Sequence, residues 1–277
     1  MERIKVAIVG ALGRMGRETV KAVHGASDME VVGAVNRSGA GMDAGIAAGI
    51  GPIGVIVSND LEKTLTESAP QVMVDFTEPA GIMNRIHTAF RAGVRPVVGT
   101  TGLSLAEIED LRPLCHKHGL GAIIAPNFAV GALLMMRFAA EAARYFVDAE
   151  IIEMHHPAKL DSPSGTAVKT AEMIVETRQG DASLPNGTPD YRTGAIEKIA
   201  GARGGQMGGV HIHSVRLPGL VAHQEVIFGN PSETLTIRHD SLSRESFMPG
   251  VLLAIRRILT LEDVVWGLER LVFAEQH

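Results

Sequence analysis

Apolar positions along this chain fall into two regimes. Up to about residue 126, short uninterrupted apolar runs alternate with stretches of helical period. Residues 4–9 (Ile-Lys-Val-Ala-Ile-Val) are largely β-branched and end at Gly10, which predicts a strand buried on both faces of a parallel sheet. Residues 13–24 predict a helix and 30–35 a second strand, so a βαβ unit opens the chain. Residues 72–76 predict a third strand. Thr77 is then expected to cap, and Pro79 to begin, a helix that runs to about Arg91 and stops at Gly93. Residues 96–98 predict a fourth strand that turns through Gly99-Thr100-Thr101-Gly102. Ser104 and Glu107 have the spacing of a capping box for a helix over 104–118, and 122–124 predict a fifth strand. Strands and helices alternating in this way predict an α/β fold, a Rossmann-type doubly wound parallel sheet.

Beyond residue 126 the pattern changes. A helix is predicted over 130–146, a strand over 150–154 and a helix over 166–178. Residues 180–209, rich in Gly, Pro, Asn and Asp, read as loop. Three short β runs follow, 211–217, 222–228 and 234–239, separated by Pro218-Gly219 and Asn230-Pro231. This is the pattern of an α+β domain with a largely antiparallel sheet. Helical period returns over 243–273. The expected organisation is a dinucleotide-binding domain over 1–126, with 240–277 packing back on it, and a substrate-binding and oligomerisation domain over 127–239. Self-association is expected from the apolar positions of the antiparallel sheet, Val215, Val221, Ile227, Leu235 and Ile237, which one helix alone cannot cover.

Composition narrows the classes. Aromatics are only 4% of the 277 residues while hydrophobics are 45%, so the core is built from Ala, Val, Ile, Leu and Met. A net charge of −5 supplies no positive field to hold nucleic acid. Cys115 is the only cysteine, so no internal disulfide or Cys-based metal site forms, and a reducing compartment is expected. Cys115 falls within a predicted helix and reads as packing, as do Met135 and Met136. No apolar run approaches the roughly 18 residues of a membrane span, and no signal peptide precedes the first strand, so the expected location is the cytoplasm. His211-x-His213 would share one strand face, but no carboxylate or cysteine stands near them in sequence, and no metal is expected.

Two segments carry chemistry. Gly10-Ala11-Leu12-Gly13-Arg14-Met15-Gly16 lies between the first strand and the first helix. Its glycines permit a tight turn and let backbone N–H groups approach a pyrophosphate at the positive end of the helix. At the end of the second strand stands Asn36-Arg37. No carboxylate is present there to repel a 2′-phosphate, and Arg37 suits one, which favours NADPH and leaves NADH use open. The second segment, residues 153–167, reads Glu-Met-His-His-Pro-Ala-Lys-Leu-Asp-Ser-Pro-Ser-Gly-Thr-Ala. His155, His156 and Lys159 are proton donors or anion docks. Ser164, Gly165 and Thr166 offer amides at a helix start, suited to a carboxylate. A dicarboxylate beside a reducible C=N or C=C bond needs this set, because charge developing next to the hydride-accepting carbon must be met by a proton.

The same segment resembles the E-x-H-H-x-x-K-x-D-x-P-S-G-T signature of 4-hydroxy-tetrahydrodipicolinate reductases. Other pieces match in order: V-x-G-x-x-G-R-M-G near the N-terminus, Asp75-Phe76-Thr77, Gly99 to Gly102, Ala125-Pro126-Asn127-Phe128, and Ser243-Arg244 through Phe247 to Gly250. The resemblance implies an NAD(P)H-dependent oxidoreductase of diaminopimelate and lysine synthesis, assembled as a homotetramer. It implies that residues 10–16 bind the pyrophosphate and that Phe76, Thr77, Gly99, Thr100, Thr101, Ala125, Pro126, Asn127 and Phe128 line the cofactor site. His155 would be the acid–base residue and Lys159 a proton donor, with His156, Gly165 and Thr166 holding the dicarboxylate, to which the residue reading above adds Lys159 and Ser164. This chain departs from many relatives in having Asn36 where they carry an acid, and Glu78 where some carry Arg. Two other readings compete: another Rossmann dehydrogenase, of which a semialdehyde type would need a nucleophilic cysteine, and a non-enzymatic NADP-binding sensor, which would not need the His155-His156-Lys159 set.

Overall fold

The computed structural model describes residues 2–100, 102–180 and 196–273. In chain order the first elements are β1 (Ile4–Val9), α1 (Arg14–Gly25), β2 (Met29–Val35), α2 (Ala44–Ala48), β3 (Val57–Ser58), α3 (Leu61–Ser68) and β4 (Val72–Asp75). They continue with α4 (Ile82–Arg91), β5 (Arg95–Val98), α5 (Leu105–Glu109), α6 (Leu111–His118), β6 (Ala122–Ile124) and α7 (Val130–Ala142). Then come β7 (Asp148–His155), α8 (Gly165–Gln179), β8 (Gly205–Met207), β9 (Val210–Arg216), β10 (Ala222–Asn230) and β11 (Glu233–Ser241). The chain closes with α9 (Met248–Arg257), β12 (Val264–Trp266) and α10 (Glu269–Val272). Two compact units result, one of residues 1–130 with 244–277, the other of 131–243.

In the first unit seven strands pair in parallel in the order β12-β6-β5-β4-β1-β2-β3. Val6, Ala7 and Ile8 of β1 and Val72, Met73 and Val74 of β4 are wholly buried, as strands covered by helices on both faces must be. The strand order reverses between β1 and β4, so the crevice at their carboxyl ends is where such a sheet receives a ligand. The helices are set by local chemistry. Asp43 accepts from the amides of Gly45 and Ile46 at the start of α2, Asp60 accepts from Lys63 at α3, and Ser104 and Glu107 form the reciprocal capping box expected for α5.

Four expectations need correcting in this unit. Thr77 and Pro79 do not start α4, which begins at Ile82 after Gly81 in the left-handed conformation (φ 76°). Thr77 is turned instead toward buried Asp75, whose Oδ1 accepts from the Thr77 amide (2.9 Å) and hydroxyl (2.6 Å). The helix expected over 104–118 breaks at Asp110, because Pro113 has no N–H to continue the ladder and is tolerated only in the first turn of a new helix. The sheet gains β3 and β12, runs of two and three residues too short to show a period. Residues 243–273 are therefore not continuously helical: β12 pairs with β6 at the sheet edge.

The second unit holds a five-stranded sheet in the order β11-β10-β7-β9-β8, with only β7 and β9 parallel. α8 brings its buried Ala167, Thr170, Ala171 and Ile174 to one face, where Gln224 of β10 donates to the Thr170 hydroxyl (2.7 Å). Val226 and Phe228 lie on that face, and so do Ile237 and Leu235, which pair with them in register. The second face carries half-buried Ile152, Met154, Val215 and Ile227, so two of the five residues expected there, Leu235 and Ile237, point the other way. The expected helix over 130–146 ends at Ala142, and the turn after it sets Phe146 5.8 Å from Phe228. Of the expected loop 180–209, residues 181–195 lie outside those described, and the remainder includes β8. No helix among the described residues is long and apolar enough to cross a membrane.

Candidate active site

At the carboxyl end of β1 the chain turns through Gly10 (φ 81°) into α1. A Cβ on Gly16 would sit 2.0 Å from the Gly10 carbonyl oxygen, and one on Gly10 would meet the Phe76 carbonyl at 3.0 Å. The turn therefore closes with glycine at both positions, and its amides are engaged within the fold, Gly10 and Ala11 donating to the Val35 carbonyl and Gly13 to the Gly10 carbonyl. Gly10 and Gly13 line a cleft of about 730 Å³ together with Asn36, Arg37, Phe76, Thr77 and Glu78. Asn36 Oδ1 lies 3.4 Å from the Leu12 amide, so the end of β2 is tied to the glycine turn, while Asn36 Nδ2 donates to the Ser38 carbonyl. Ala11 is buried, and Arg14 and Met15 form the first turn of α1.

The remaining candidates of this unit follow β5 and β6 along the same sheet edge. A Cβ on Gly99 would overlap the Phe76 ring, at 2.0 Å from Cε1. Thr100 donates its hydroxyl to the Thr77 carbonyl (3.1 Å), Asn127 Oδ1 accepts from the Ala129 amide (2.9 Å), and the Phe128 ring meets Phe76 edge-on at 5.5 Å. Ala125 is buried and Pro126 exposed, while Thr101 lies outside the described residues. The structure thus gathers Gly10, Gly13, Asn36, Arg37, Phe76 and Thr77 in one cleft, with Gly99, Thr100 and 125–128 beside it and outside its lining.

Arg37 does not stand alone. Its Nη1 donates to Glu78 Oε1 at 2.7 Å. Arg85 of α4 is engaged elsewhere: it donates to buried Asp75 (2.6 Å) and to the carbonyls of Ala80 (2.7 Å) and Glu78 (2.8 Å).

In the second unit the segment after β7 is organised around Glu153, a wholly buried carboxylate. It receives two bonds from Arg216 (2.7 and 2.9 Å), one from the Ser164 amide (3.2 Å) and pairs with His155 Nδ1 at 2.6 Å. Burial pushes the Glu153 carboxyl upward, but Arg216, Ser214 and His155 together outweigh it and hold it below the usual range. An ionised carboxylate only accepts, so the shared proton sits on His155 Nδ1. Burial lowers His155, and Glu153 only partly offsets it, so at neutral pH the ring is neutral and its Nε2 is an acceptor.

Lys159 Nζ donates to both carboxylate oxygens of Asp161 (2.8 and 2.9 Å), and its amide donates to the His156 carbonyl (3.2 Å). Ser164 is buried and its hydroxyl caps α8 by accepting from the Ala167 amide, leaving Gly165 and Thr166 at the helix start. Nothing approaches within 4 Å of where a Gly165 side chain would stand.

Sequence reasoning gave Glu153 no role and missed Arg216. Glu153 had a local signal, since it shares a strand face with His155 two positions on. Arg216 had none, being 63 residues away and brought to Glu153 only by the β7–β9 register. The two strand histidines bind other protein groups: His213 pairs with Glu150 (2.8 Å) and His211 with the Arg203 carbonyl (2.7 Å). No group of three or more His, Cys, Asp or Glu among the described residues is placed to hold a metal.

Comparison with known proteins identifies the family. Residues 4–128 match the family described as "Dihydrodipicolinate reductase, N-terminus", and residues 131–272 match its C-terminal counterpart. A 4-hydroxy-tetrahydrodipicolinate reductase of Moorella thermoacetica is 51% identical over 269 residues, covering 97% of this chain and 98% of the relative. One from Gloeobacter violaceus is 52% identical over 274 residues, covering 97% and 99%. The solved structure of a dipicolinate-bound dihydrodipicolinate reductase from Paenisporosarcina sp. TG-14 superposes with a TM-score of 0.82 at 40% identity, covering 97% of this chain and 99% of that one. With both halves matched in order and identity sustained along nearly the whole length, this chain belongs to the dihydrodipicolinate reductase family.

Proposed function

We propose that the protein catalyses the NAD(P)H-dependent reduction of 4-hydroxy-tetrahydrodipicolinate to tetrahydrodipicolinate, within diaminopimelate and lysine synthesis. One observation carries the reading: a buried carboxylate, Glu153, orients His155 and anchors the α8 start in the segment that bears Lys159. The family and the dipicolinate held by the solved relative support a cyclic dicarboxylate as substrate.

The reaction expels the 4-hydroxyl as water, then adds a hydride and a proton across the unsaturated bond that results. A bound dihydronicotinamide supplies the hydride, and the glycine turn at residues 10–16 suits its pyrophosphate because it sets the N-terminus of α1 beside the cleft that Gly10 and Gly13 line. The protein must take one proton from the carbon beside the departing hydroxyl, which carries that proton away as water, and deliver another next to the carbon that receives the hydride. His155 Nε2, an acceptor at neutral pH, suits removal. Lys159 suits delivery: its ammonium has three donors, and the bonds to Asp161 leave one for the substrate. His156, Lys159 and the amides of Gly165 and Thr166 hold the carboxylates, and Ser164 places those amides by capping α8.

Both dinucleotides are read as acceptable. No carboxylate ends β2, and Arg37 is the cation for a 2′-phosphate. Assembly through the second face of the five-stranded sheet, as a homotetramer, would cover Ile152, Met154, Val215 and Ile227. An acyl-transferring dehydrogenase is disfavoured by Cys115, whose thiol is wholly buried and pushed up to about 11 by burial.

The deciding experiment couples the protein to dihydrodipicolinate synthase, pyruvate and aspartate semialdehyde and follows NADPH and NADH absorbance. Consumption of either cofactor is expected. Folded protein that consumes neither is not this reductase.

A further inference from the structure

We propose that Glu78 sets the cofactor preference of this protein by acting as a built-in counter-anion to Arg37. The proposal rests on the reading above that the cleft beside Gly10 takes the dinucleotide.

Arg37 and Glu78 are 41 residues apart in sequence and meet at 2.7 Å in the lining of that cleft. Glu78 is not a loose surface acid. Its own carbonyl accepts from Arg85, whose Nε is fixed by wholly buried Asp75, and the adjoining Thr77 is bound to the same Asp75. The turn that carries Glu78 is therefore braced on three sides, and its carboxylate is delivered to Arg37. The same bracing engages Arg85 with Asp75 and two carbonyls, so this second guanidinium of the lining is already partnered. Glu62 adds another carboxylate to the lining.

A ribose with a free 2′-hydroxyl brings no charge to Arg37 and leaves the pair intact. A 2′-phosphate brings about two negative charges, must take Arg37 from Glu78, and then lies beside an uncompensated carboxylate. Glu78 thus handicaps NADPH selectively and moves the chain toward use of both cofactors. Both side chains are more than half exposed, so the handicap is modest and screened by salt.

The test measures binding without turnover, in Glu78→Gln and Glu78→Ala. Both remain solvent-facing replacements that spare the core. NADPH and NADH are titrated by fluorescence, and 2′,5′-ADP and 5′-AMP by calorimetry. Ligands with a 2′-phosphate should bind about 5-fold tighter in both variants at low salt, and ligands without one should change less than about 2-fold. The gain should shrink in about 0.5 M salt. It should vanish when Arg37→Ala is added, because the two residues act as one unit. An unchanged ratio, an equal gain for both ligand types, or a gain that survives loss of Arg37 overturns the proposal. Wild-type protein that binds neither dinucleotide overturns the cofactor reading itself, a different failure from an unchanged ratio.

Discussion

Glu153 Oε2 lies 2.6 Å from His155 Nδ1, two residues along the same strand face, and the carboxylate that orients the imidazole also holds Arg216 and the start of α8. The proposed chemistry and the fold thus share one buried charge. Replacing Glu153 with Gln leaves Arg216 without its counter-charge in a site where its side chain is 19% exposed. A loss of about 3 kcal/mol in unfolding free energy is expected, the low end for breaking a buried pair. Urea denaturation measures it; a loss below about 0.5 kcal/mol would show that the network does not stabilise the fold.

The roles proposed for Lys159 and His155 are separable by experiment. Lys159→Ala removes a proton donor and a carboxylate contact, so turnover should fall at least about 10²-fold and dipicolinate binding should weaken. His155→Ala should lower turnover while leaving NADPH affinity near wild type. Near-normal turnover in Lys159→Ala, or lost cofactor affinity with intact turnover in His155→Ala, contradicts these roles.

Acid should weaken the fold in two stages. His155 titrates below its ordinary value in the folded protein, chiefly through burial, so the unfolded chain takes up more protons as pH falls through about 6.5. Stability is therefore full above that pH and declines below it, and half-buried His239, lowered mainly by burial, adds to the decline. Glu153 is held below the carboxylate range, so a further loss follows under about pH 4.5. Melting temperature against pH reads both stages, and His155→Gln should flatten the first. A protein that gains stability between pH 7 and 5.5 would reverse the sign argued here.

The glycine cradle predicts a steric outcome. Gly16→Ala places a methyl 2.0 Å from the Gly10 carbonyl oxygen, a backbone atom that cannot rotate away. Dinucleotide affinity should drop by at least about tenfold, with a lower melting temperature from overpacking. Unaltered affinity by calorimetry would mean that the turn does not seat the pyrophosphate.

Assembly is tested by mass. Four copies of the 29.4 kDa chain should scatter light as about 118 kDa (4 × 29.4), and Ile227→Asp on the second sheet face should release smaller species. A wild-type mass of one chain refutes assembly through that face.

What the sequence determined by itself was whatever depends on neighbours along the chain. β-branched runs ending at glycine specified buried parallel strands, Ser104 with Glu107 specified a capping box, and Gly10 and Gly16 specified a turn that closes without side chains at those positions. The His155, Lys159 and Gly165 cluster was legible because one short segment carries it. Tertiary structure decided what strand order and register bring together. Arg216 reaches Glu153 across 63 residues, and Glu78 reaches Arg37 across 41. β12 joins β6 as a three-residue edge strand with no period to announce it. Thr77, which reads locally as a helix cap, is turned to Asp75 because a buried carboxylate needs donors more than an exposed helix start needs a cap.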